Sequence, residues 1–144
     1  MLAVTLSLFG FSACNNDDNI NNNNSTETTL ENSTNKEITY EIISQAQAKG
    51  IMDSSENYVI VDARTSEEFS EGHIKNAINL DYEEVTQKAE SLLPDKNQLI
   101  LIYCRSGRRS KIAAESLCQL GYTNVKEFGG IIDWQYEVVQ DDAQ

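Results

Sequence analysis

A cysteine opens a short, positively charged stretch in this otherwise acidic chain. Four of the 11 lysines and arginines follow Cys104 within seven residues, in a protein of formal net charge -12; they are Arg105, Arg108, Arg109 and Lys111. A cationic cluster on an anionic protein indicates a place where an anion binds. A solvated basic turn is the alternative, but the thiol at its start favours an anion site.

The sequence around Cys104 indicates how an anion would be held. The cysteine directly follows the most apolar run of the chain, residues 99–103, and a helix is predicted from about residue 109 to 120. The first turn of a helix has free backbone N–H groups and the positive end of the helix dipole, and Gly107 permits a sharp backbone turn. A thiol beside such donors should have a lowered pKa and react as the thiolate. A buried structural cysteine at a strand end stays open as the alternative.

Strand and helix signals alternate from residue 38 onward. The predicted strands are 38–43, 58–61, 77–80, 99–103 and 124–128. Three predicted helices span 44–52, 109–120 and 131–139; a short one follows residue 65, and another follows residue 81 and ends near residue 93. This alternation indicates an α/β fold with a central, mostly parallel sheet. Nucleophiles in such folds lie beyond the carboxyl ends of strands, where Cys104 stands; Asp62 and Arg64 end a strand at the same edge.

The predicted helices have recognisable ends. Ser44 can cap the first one, and the spacings of Thr65 with Glu68 and of Asp81 with Glu84 are typical of capping boxes. Gly121 is expected to end the helix 109–120 in the left-handed conformation.

Several motifs, in the correct order, resemble those of the rhodanese family. Residues 104–110 are similar to its active-site loop; its other signatures are matched by 61–64, 67–69, 72–80, 120–122, Val125, Gly129, Gly130 and Trp134. The resemblance covers residues 38–140 and implies a five-stranded sheet with helices on both faces. It also implies that Asp62 and Arg64 support the fold and the loop, and that the turn containing His73 is structural.

The resemblance implies sulfur transfer through a persulfide on Cys104. Sulfurtransferases of the family have a six-residue loop, here 104–109, whereas the related phosphatases and arsenate reductases have arginine one position later, where this chain has Ser110. The donor is expected to be a small anion such as thiosulfate, and the acceptor cyanide or a thiol. We expect Arg109 in the loop interior and Arg108 at its rim. The substrate-binding candidates are Arg105, Ser106, Gly107, Arg108, Arg109 and Ser110.

Two other functions stay open. A non-catalytic binding module held at a membrane is disfavoured by the presence of Cys104, and a phosphatase or arsenate reductase is disfavoured by the loop length. No cofactor is implied, and one histidine with three dispersed cysteines does not supply the usual ligand cluster of a metal site. The acidic net charge disfavours nucleic acid as a partner, and a monomer is expected.

The first 14 residues resemble a bacterial lipoprotein signal. Residues 2–13 form an uncharged apolar run, too short to span a bilayer, that ends in Phe11-Ser12-Ala13-Cys14. Small residues before a cysteine are similar to a lipobox, in which the cysteine thiol is lipidated. Because no lysine or arginine precedes the run, an ordinary cleaved signal and a structural N-terminal element stay open.

The segment after this run has the composition of a tether. Residues 15–36 are rich in asparagine and hold too few apolar side chains to offset the entropy of ordering. We therefore expect a signal with its lipidation site in residues 1–14, a disordered tether in 15–36 and a rhodanese-like domain in 37–144. The expected location is outside the cytoplasm, anchored by a lipid on Cys14 to a bacterial membrane and facing the periplasm.

The other cysteine and the late aromatic residues are expected to be structural. Cys118 lies about 12 Å along the predicted helix from the loop, too far for a disulfide with Cys104, so we expect a buried thiol. Trp134 and Tyr136 are expected to pack within the final helix.

Overall fold

Five strands of the domain form one parallel sheet. A computed structural model describes residues 39–55 and 57–140, with the strands β1 (Glu41–Ile42), β2 (Tyr58–Asp62), β3 (His73–Ile74), β4 (Ala77–Asn79), β5 (Leu99–Cys104), β6 (Val125–Gly130) and β7 (Val138–Val139). The main sheet has the spatial order β1-β6-β5-β2-β4, and every pairing in it is parallel. The expected five-stranded, mostly parallel sheet is confirmed, although β1 is shorter than the predicted strand 38–43.

The α-helices of the described ranges are α1 (Gln45–Ser54), α2 (Ser66–Glu71), α3 (Val85–Leu92) and α4 (Arg108–Gln119). Capping boxes open α1 at Ser44 and α2 at Thr65, so both predicted N-caps are confirmed. The box predicted for Asp81 and Glu84 is wrong. The Asp81 carboxylate accepts a hydrogen bond from the Glu83 N–H at 3.1 Å within a turn, and α3 begins only at Val85, without a side-chain cap.

Different helices cover the two faces of the sheet. Along β5, Ile100 and Ile102 pack with residues of α3 and α4, whereas Leu101 and Tyr103 pack on the face covered by α1. All four side chains are 0% exposed. A strand buried on both faces has no solvent side, which explains its continuous apolar run. The expected helices on both faces are therefore confirmed.

The helix predicted for residues 131–139 is wrong. Ile131–Asp133 form a single 3-10 turn, and β7 then pairs antiparallel with β3. Trp134 packs as expected: it is 9% exposed, and its ring centroid lies 5.6 Å from that of Phe128. Tyr136 contacts the Trp134 ring edge-on and is 42% exposed. Packing of the large indole and pairing of two β-branched valines override the local helix signal.

Helix α4 ends in a left-handed glycine, as predicted. Gly121 has φ 92°. Its N–H donates to the Cys118 carbonyl at 3.0 Å, and the Tyr122 N–H donates to the Leu117 carbonyl at 3.1 Å. This pair of hydrogen bonds satisfies the last carbonyls of the helix and turns the chain toward β6.

The predictions for the N-terminal region lie outside the described residues. These are the signal in residues 1–14, the lipidation site Cys14 and the tether in residues 15–36, which all stay predictions. Within residues 39–55 and 57–140, no helix has the length and apolar character needed to cross a membrane.

Candidate active site

Cys104 lies at the carboxyl end of the parallel sheet. It is the last residue of β5, is paired in register with Gly130 of β6, and is 1% exposed. Its Sγ accepts a hydrogen bond from the Gly107 N–H at 3.1 Å. The turn that brings this N–H back to the sulfur has Gly107 at φ 92°, in the left-handed region that favours glycine. The loop follows a buried strand and opens α4, as the sequence predicts.

The surroundings of the Cys104 thiol lower its pKa. Burial alone raises the pKa, because the charged thiolate loses contact with water. The Ser110 hydroxyl and the backbone N–H groups of Ser110, Ser106 and Gly107 favour the thiolate and together outweigh burial. Since an ordinary cysteine has a pKa of about 8.5, a larger fraction of Cys104 is ionised at neutral pH. This agrees with the lowered pKa expected from the sequence.

The outer part of the loop is open to solvent, while its backbone lies against the end of β6. Arg105, Ser106 and Arg108 are exposed. The Arg105 carbonyl accepts a hydrogen bond from the Ile132 N–H at 3.3 Å. A Cβ at Gly130 would overlap this same carbonyl, so the close approach of the two backbones requires glycine there. Two arginine side chains are thereby left at the rim, as predicted for Arg108.

The Arg109 guanidinium is held by a carboxylate from another helix. Its two terminal nitrogens donate to the Glu68 oxygens of α2 at 2.6 and 2.8 Å. The two side chains are 17% and 27% exposed, and the Arg109 hydrogen bonds lower the pKa of the Glu68 carboxyl. Arg109 is less exposed than Arg108, but its guanidinium contacts Glu68, and its expected place in the loop interior stays a prediction. The sequence interpretation did not foresee that Glu68 compensates its charge.

A buried carboxylate lies behind the loop, and the sequence interpretation missed it. Glu127 of β6 is 1% exposed, and its Oε1 accepts hydrogen bonds from the Ser110 hydroxyl at 2.7 Å and the Gly129 N–H at 2.8 Å. The same Ser110 hydroxyl lies 3.4 Å from Cys104 Sγ. The sequence contains one signal for this residue: strand alternation places Glu127 on the same face as the buried Val125, where an apolar side chain is expected.

Asp62 and Arg64 form a buried ion pair at the end of β2. The distance from Arg64 Nη2 to Asp62 Oδ2 is 2.6 Å, and the side chains are 8% and 0% exposed, respectively. Arg64 Nη2 also donates to the Gly72 carbonyl at 2.6 Å. The Asn79 amide donates to the carbonyls of Asp62 and Arg64 at 3.2 and 2.8 Å. The ion pair thus ties β2 to the end of α2, and Asn79 ties the same backbone to β4; the supporting role that the resemblance implies for both residues stays a prediction.

Comparison with known proteins decides the family. Residues 44–137 match the family model of the rhodanese-like domain. The chain belongs to the rhodanese-like family. Among its relatives is the thiosulfate sulfurtransferase PspE of Escherichia coli (strain K12), which is 38% identical over 73 residues, or 51% of this chain and 70% of PspE.

A second curated relative and a solved structure also match the rhodanese-like domain. The adenylyltransferase and sulfurtransferase UBA4 of Candida albicans is 31% identical over 103 residues, which are 67% of this chain but only 24% of UBA4. The crystal structure of a rhodanese-related protein from Thermoplasma volcanium superposes with a TM-score of 0.62 at 31% identity, covering 71% of this chain and 100% of that protein. The α/β fold with its five-stranded parallel sheet is that of solved rhodanese-like structures.

Two other reactive side chains of the rhodanese-like domain pack in its interior. His73 is 5% exposed, its ring stacks on Phe69 at a centroid distance of 3.8 Å, and its Nδ1 lies 3.0 Å from the Phe69 carbonyl oxygen. Cys118 of α4 is 4% exposed, and burial raises the pKa of its thiol. Cys104 and Cys118 are both free, so the prediction that no disulfide joins them is confirmed. In the described part of the chain, no cluster of three His, Cys, Asp or Glu side chains could hold a metal ion.

Proposed function

We propose that this rhodanese-like domain is a sulfurtransferase with Cys104 as its nucleophile. It takes a sulfane sulfur from a small anionic donor such as thiosulfate and passes it to a thiophilic acceptor, either cyanide or a thiol. One observation carries the proposal: the Cys104 sulfur lies among N–H and O–H donors that lower the pKa of its thiol. The sulfurtransferase relatives support the same chemistry.

In the first half-reaction, the Cys104 thiolate attacks the outer sulfur of thiosulfate. A sulfur–sulfur bond forms to Cys104, the sulfur–sulfur bond of thiosulfate breaks, and sulfite leaves with its electron pair. The product on the enzyme is a persulfide anion, so the total charge of −3 is the same before and after the step. The N–H groups of the loop, which already favour the thiolate, stabilise the negative charge on the persulfide.

In the second half-reaction, the acceptor removes the outer sulfur. Cyanide attacks the terminal sulfur of the persulfide and leaves as thiocyanate, and the Cys104 thiolate is regenerated with its electron pair. No external oxidant or reductant is needed, because the sulfane sulfur moves between nucleophiles at one oxidation level. Donor and acceptor therefore use the same small loop in turn, and the kinetics are ping-pong.

The arginines of the loop have separate parts in this proposal. The exposed Arg105 and Arg108 attract anions to an otherwise acidic protein. Arg109, held by Glu68, contributes a positive charge close enough to interact with Cys104 and links the loop to α2. Ser110 occupies the position where a phosphatase loop has arginine, and its hydroxyl contacts Glu127, which disfavours phosphate as the substrate.

The direct test is mass spectrometry of the full-length protein after treatment with thiosulfate. We expect one added sulfur on the Cys104 peptide and none in Cys104→Ser. Cys118→Ser is the matched control, because Cys118 is the other buried thiol of the described residues and lies within α4, so this variant should still gain the sulfur on Cys104. A folded wild-type protein that gains no sulfur from any small donor would contradict the proposal and favour a binding module instead.

We also propose that the protein is exported and anchored by a lipid on Cys14. The support comes from the sequence: an apolar run ends in a lipobox-like segment, and an asparagine-rich stretch follows it. If the stretch acts as the expected tether, about 20 residues would reach roughly 25 Å, and the rhodanese-like domain would work close to a membrane surface, facing the periplasm. Metabolic labelling with a fatty acid tests this proposal, with Cys14→Ala as the unlabelled control.

A further inference from the structure

The Ser110 hydroxyl has one proton and two acceptors within reach. Its oxygen lies 2.7 Å from Glu127 Oε1 and 3.4 Å from Cys104 Sγ. A serine hydroxyl donates one hydrogen bond, so it cannot donate fully to both acceptors at once. A hydrogen bond to a buried carboxylate is charge-assisted and strong, and the 2.7 Å distance indicates that the carboxylate has the larger share of the proton.

We propose that Glu127 is a positioning residue for the nucleophile, which competes with Cys104 for the single proton of the Ser110 hydroxyl. By drawing this proton away from the sulfur, it keeps the Cys104 thiolate more basic and therefore more reactive. This inference deepens the proposed function and rests on it for the reaction that the thiolate performs. The sequence motif of the loop does not contain Glu127, which comes from a different strand.

Glu127 is a buried residue held by hydrogen bonds, and not a surface charge that happens to lie near the loop. The carboxylate is 1% exposed and is also fixed by the Gly129 N–H, at 2.8 Å. It backs directly onto the turn of the loop, since a Cβ at Gly107 would lie 3.7 Å from Glu127 Oε1. Burying a carboxylate costs free energy unless hydrogen bonds compensate it, and here the compensating donors lie next to the nucleophile.

Other charged or titratable groups face this pair from the neighbouring elements. Tyr40, which precedes β1, has a raised pKa caused first by burial and then by the Glu127 carboxylate. The Arg109 guanidinium of α4 interacts electrostatically with Cys104 and is compensated by Glu68 of α2. A change at Glu127 leaves these groups in place, so its effect on Cys104 can be measured separately.

The expected size of the effect follows from the geometry. The two distances from the Ser110 oxygen place the carboxylate oxygen and the sulfur at most about 6 Å apart. Glu127→Gln removes the negative charge of this side chain. The Ser110 hydroxyl can then donate its hydrogen bond to the Cys104 sulfur, and both changes favour the thiolate. The pKa of Cys104 should fall by about one to two units. The fully ionised thiolate should then react about 3-fold more slowly for each unit, because nucleophilicity falls with basicity.

The experiment measures alkylation of Cys104 by iodoacetamide as a function of pH in the full-length protein, followed on the Cys104 peptide by mass spectrometry. The variants are Glu127→Gln, Ser110→Ala and the double substitution. Glu115→Gln, an exposed residue of α4, is the matched control with the same chemical change. Alkylation requires no sulfur donor, so a failure of this inference is distinguishable from a failure of sulfur transfer. Thermal unfolding of each variant checks that the fold is retained.

Three results are expected together. Glu127→Gln lowers the pKa and the limiting rate, so that its pH profile crosses that of the wild type, and Glu115→Gln does neither. In the Ser110→Ala background, the shift caused by Glu127→Gln is smaller by at least about half a unit, because only the through-space charge remains. Ser110→Ala alone raises the pKa by less than about one unit, because the hydroxyl proton is donated more to the carboxylate than to the sulfur.

Each contrary result overturns the inference. An unchanged pKa in Glu127→Gln would leave Glu127 with a structural role only. An equal shift in both backgrounds would mean that Glu127 acts as a charge and not through Ser110. If Glu127→Gln does not fold, Ser110→Ala still tests the inference. A rise of one unit or more in the pKa of Cys104 would show that the hydroxyl donates mainly to the sulfur, which contradicts the inference.

Discussion

Replacing Arg109 by alanine would leave the Glu68 carboxylate unpaired beside the Cys104 loop. The bidentate pair has distances of 2.6 and 2.8 Å, and the side chains are only 17% and 27% exposed, so solvent screens it less than a surface pair. A hydrogen bond to a charged group contributes about 1.5–3 kcal/mol. If that contribution acts on the bound donor, kcat/KM for thiosulfate should fall by about 10- to 150-fold.

Arg108→Ala is the matched control, because it removes the same charge from the neighbouring, exposed position. A rim charge acts through long-range attraction, which salt screens within a Debye length of about 30 Å at 0.01 M and about 3 Å at 1 M. The loss in Arg108→Ala should therefore be modest at low salt and should nearly disappear at high salt. The loss in Arg109→Ala should persist at both salt concentrations.

The double variant Arg109→Ala with Glu68→Gln separates two causes of the loss. One cause is the missing guanidinium, and the other is an uncompensated carboxylate that repels the anionic donor. Removing the carboxylate charge should restore part of the activity, while the part due to Arg109 itself should stay lost. Steady-state kinetics of thiosulfate-to-cyanide transfer at both salt concentrations provide the measurement.

Either of two results would contradict these separate roles of Arg108 and Arg109. In the first, Arg108→Ala is the more damaging variant at both salt concentrations. In the second, Arg109→Ala stays within about 2-fold of the wild type, a difference too small for a partly buried charge-assisted contact.

The remaining predictions concern the nucleophile, selectivity, acid stability and the anchor. Cys104→Ser should abolish thiosulfate-to-cyanide transfer with an unchanged thermal unfolding transition, whereas Cys118→Ser should keep near wild-type rates. Release of phosphate from aryl phosphates should be negligible, because Ser110 replaces the arginine of a phosphatase loop; efficient release that is lost in Cys104→Ser would contradict this. Because its ion pair lowers the pKa of Glu68, the pair stabilises the fold above the ordinary glutamate pKa of about 4.3, and this stabilisation is lost as pH falls through the lower folded value. Urea unfolding of Glu68→Gln should therefore show a smaller loss of stability on acidification. Wild-type protein should carry a fatty-acid label in a Gram-negative host and sediment with membranes, and Cys14→Ala should do neither.

The parts of the fold that were predictable depend on interactions close in sequence or on continuous burial. The apolar run of β5 predicts a central strand because both of its faces are covered. Ser44 and Thr65 contact residues three positions later, so their capping boxes can be read from spacing alone. Gly107 and Cys104 are likewise only three residues apart, so their contact belongs to a local motif.

The parts that were missed depend on contacts between distant segments. Glu127 meets Ser110 from 17 positions away, and nothing in its immediate sequence marks it as part of the loop. Glu68 meets Arg109 across 41 positions, and its capping-box spacing accounts for it locally without revealing the ion pair. The strand at Val138–Val139 forms because His73–Ile74 offers it a partner, which a search for helix periodicity cannot detect.

The close approach of the loop to Gly130 limits how this domain could change its chemistry. The Arg105 carbonyl packs against the Gly130 backbone and accepts a hydrogen bond from the Ile132 N–H. On that side the loop therefore has little room to move. Lengthening the loop by one residue, to admit a tetrahedral oxyanion, would push this carbonyl into the end of β6 or break its hydrogen bond. An engineered or evolving phosphatase would therefore need the longer loop to bulge toward solvent or the segment that follows Gly130 to move.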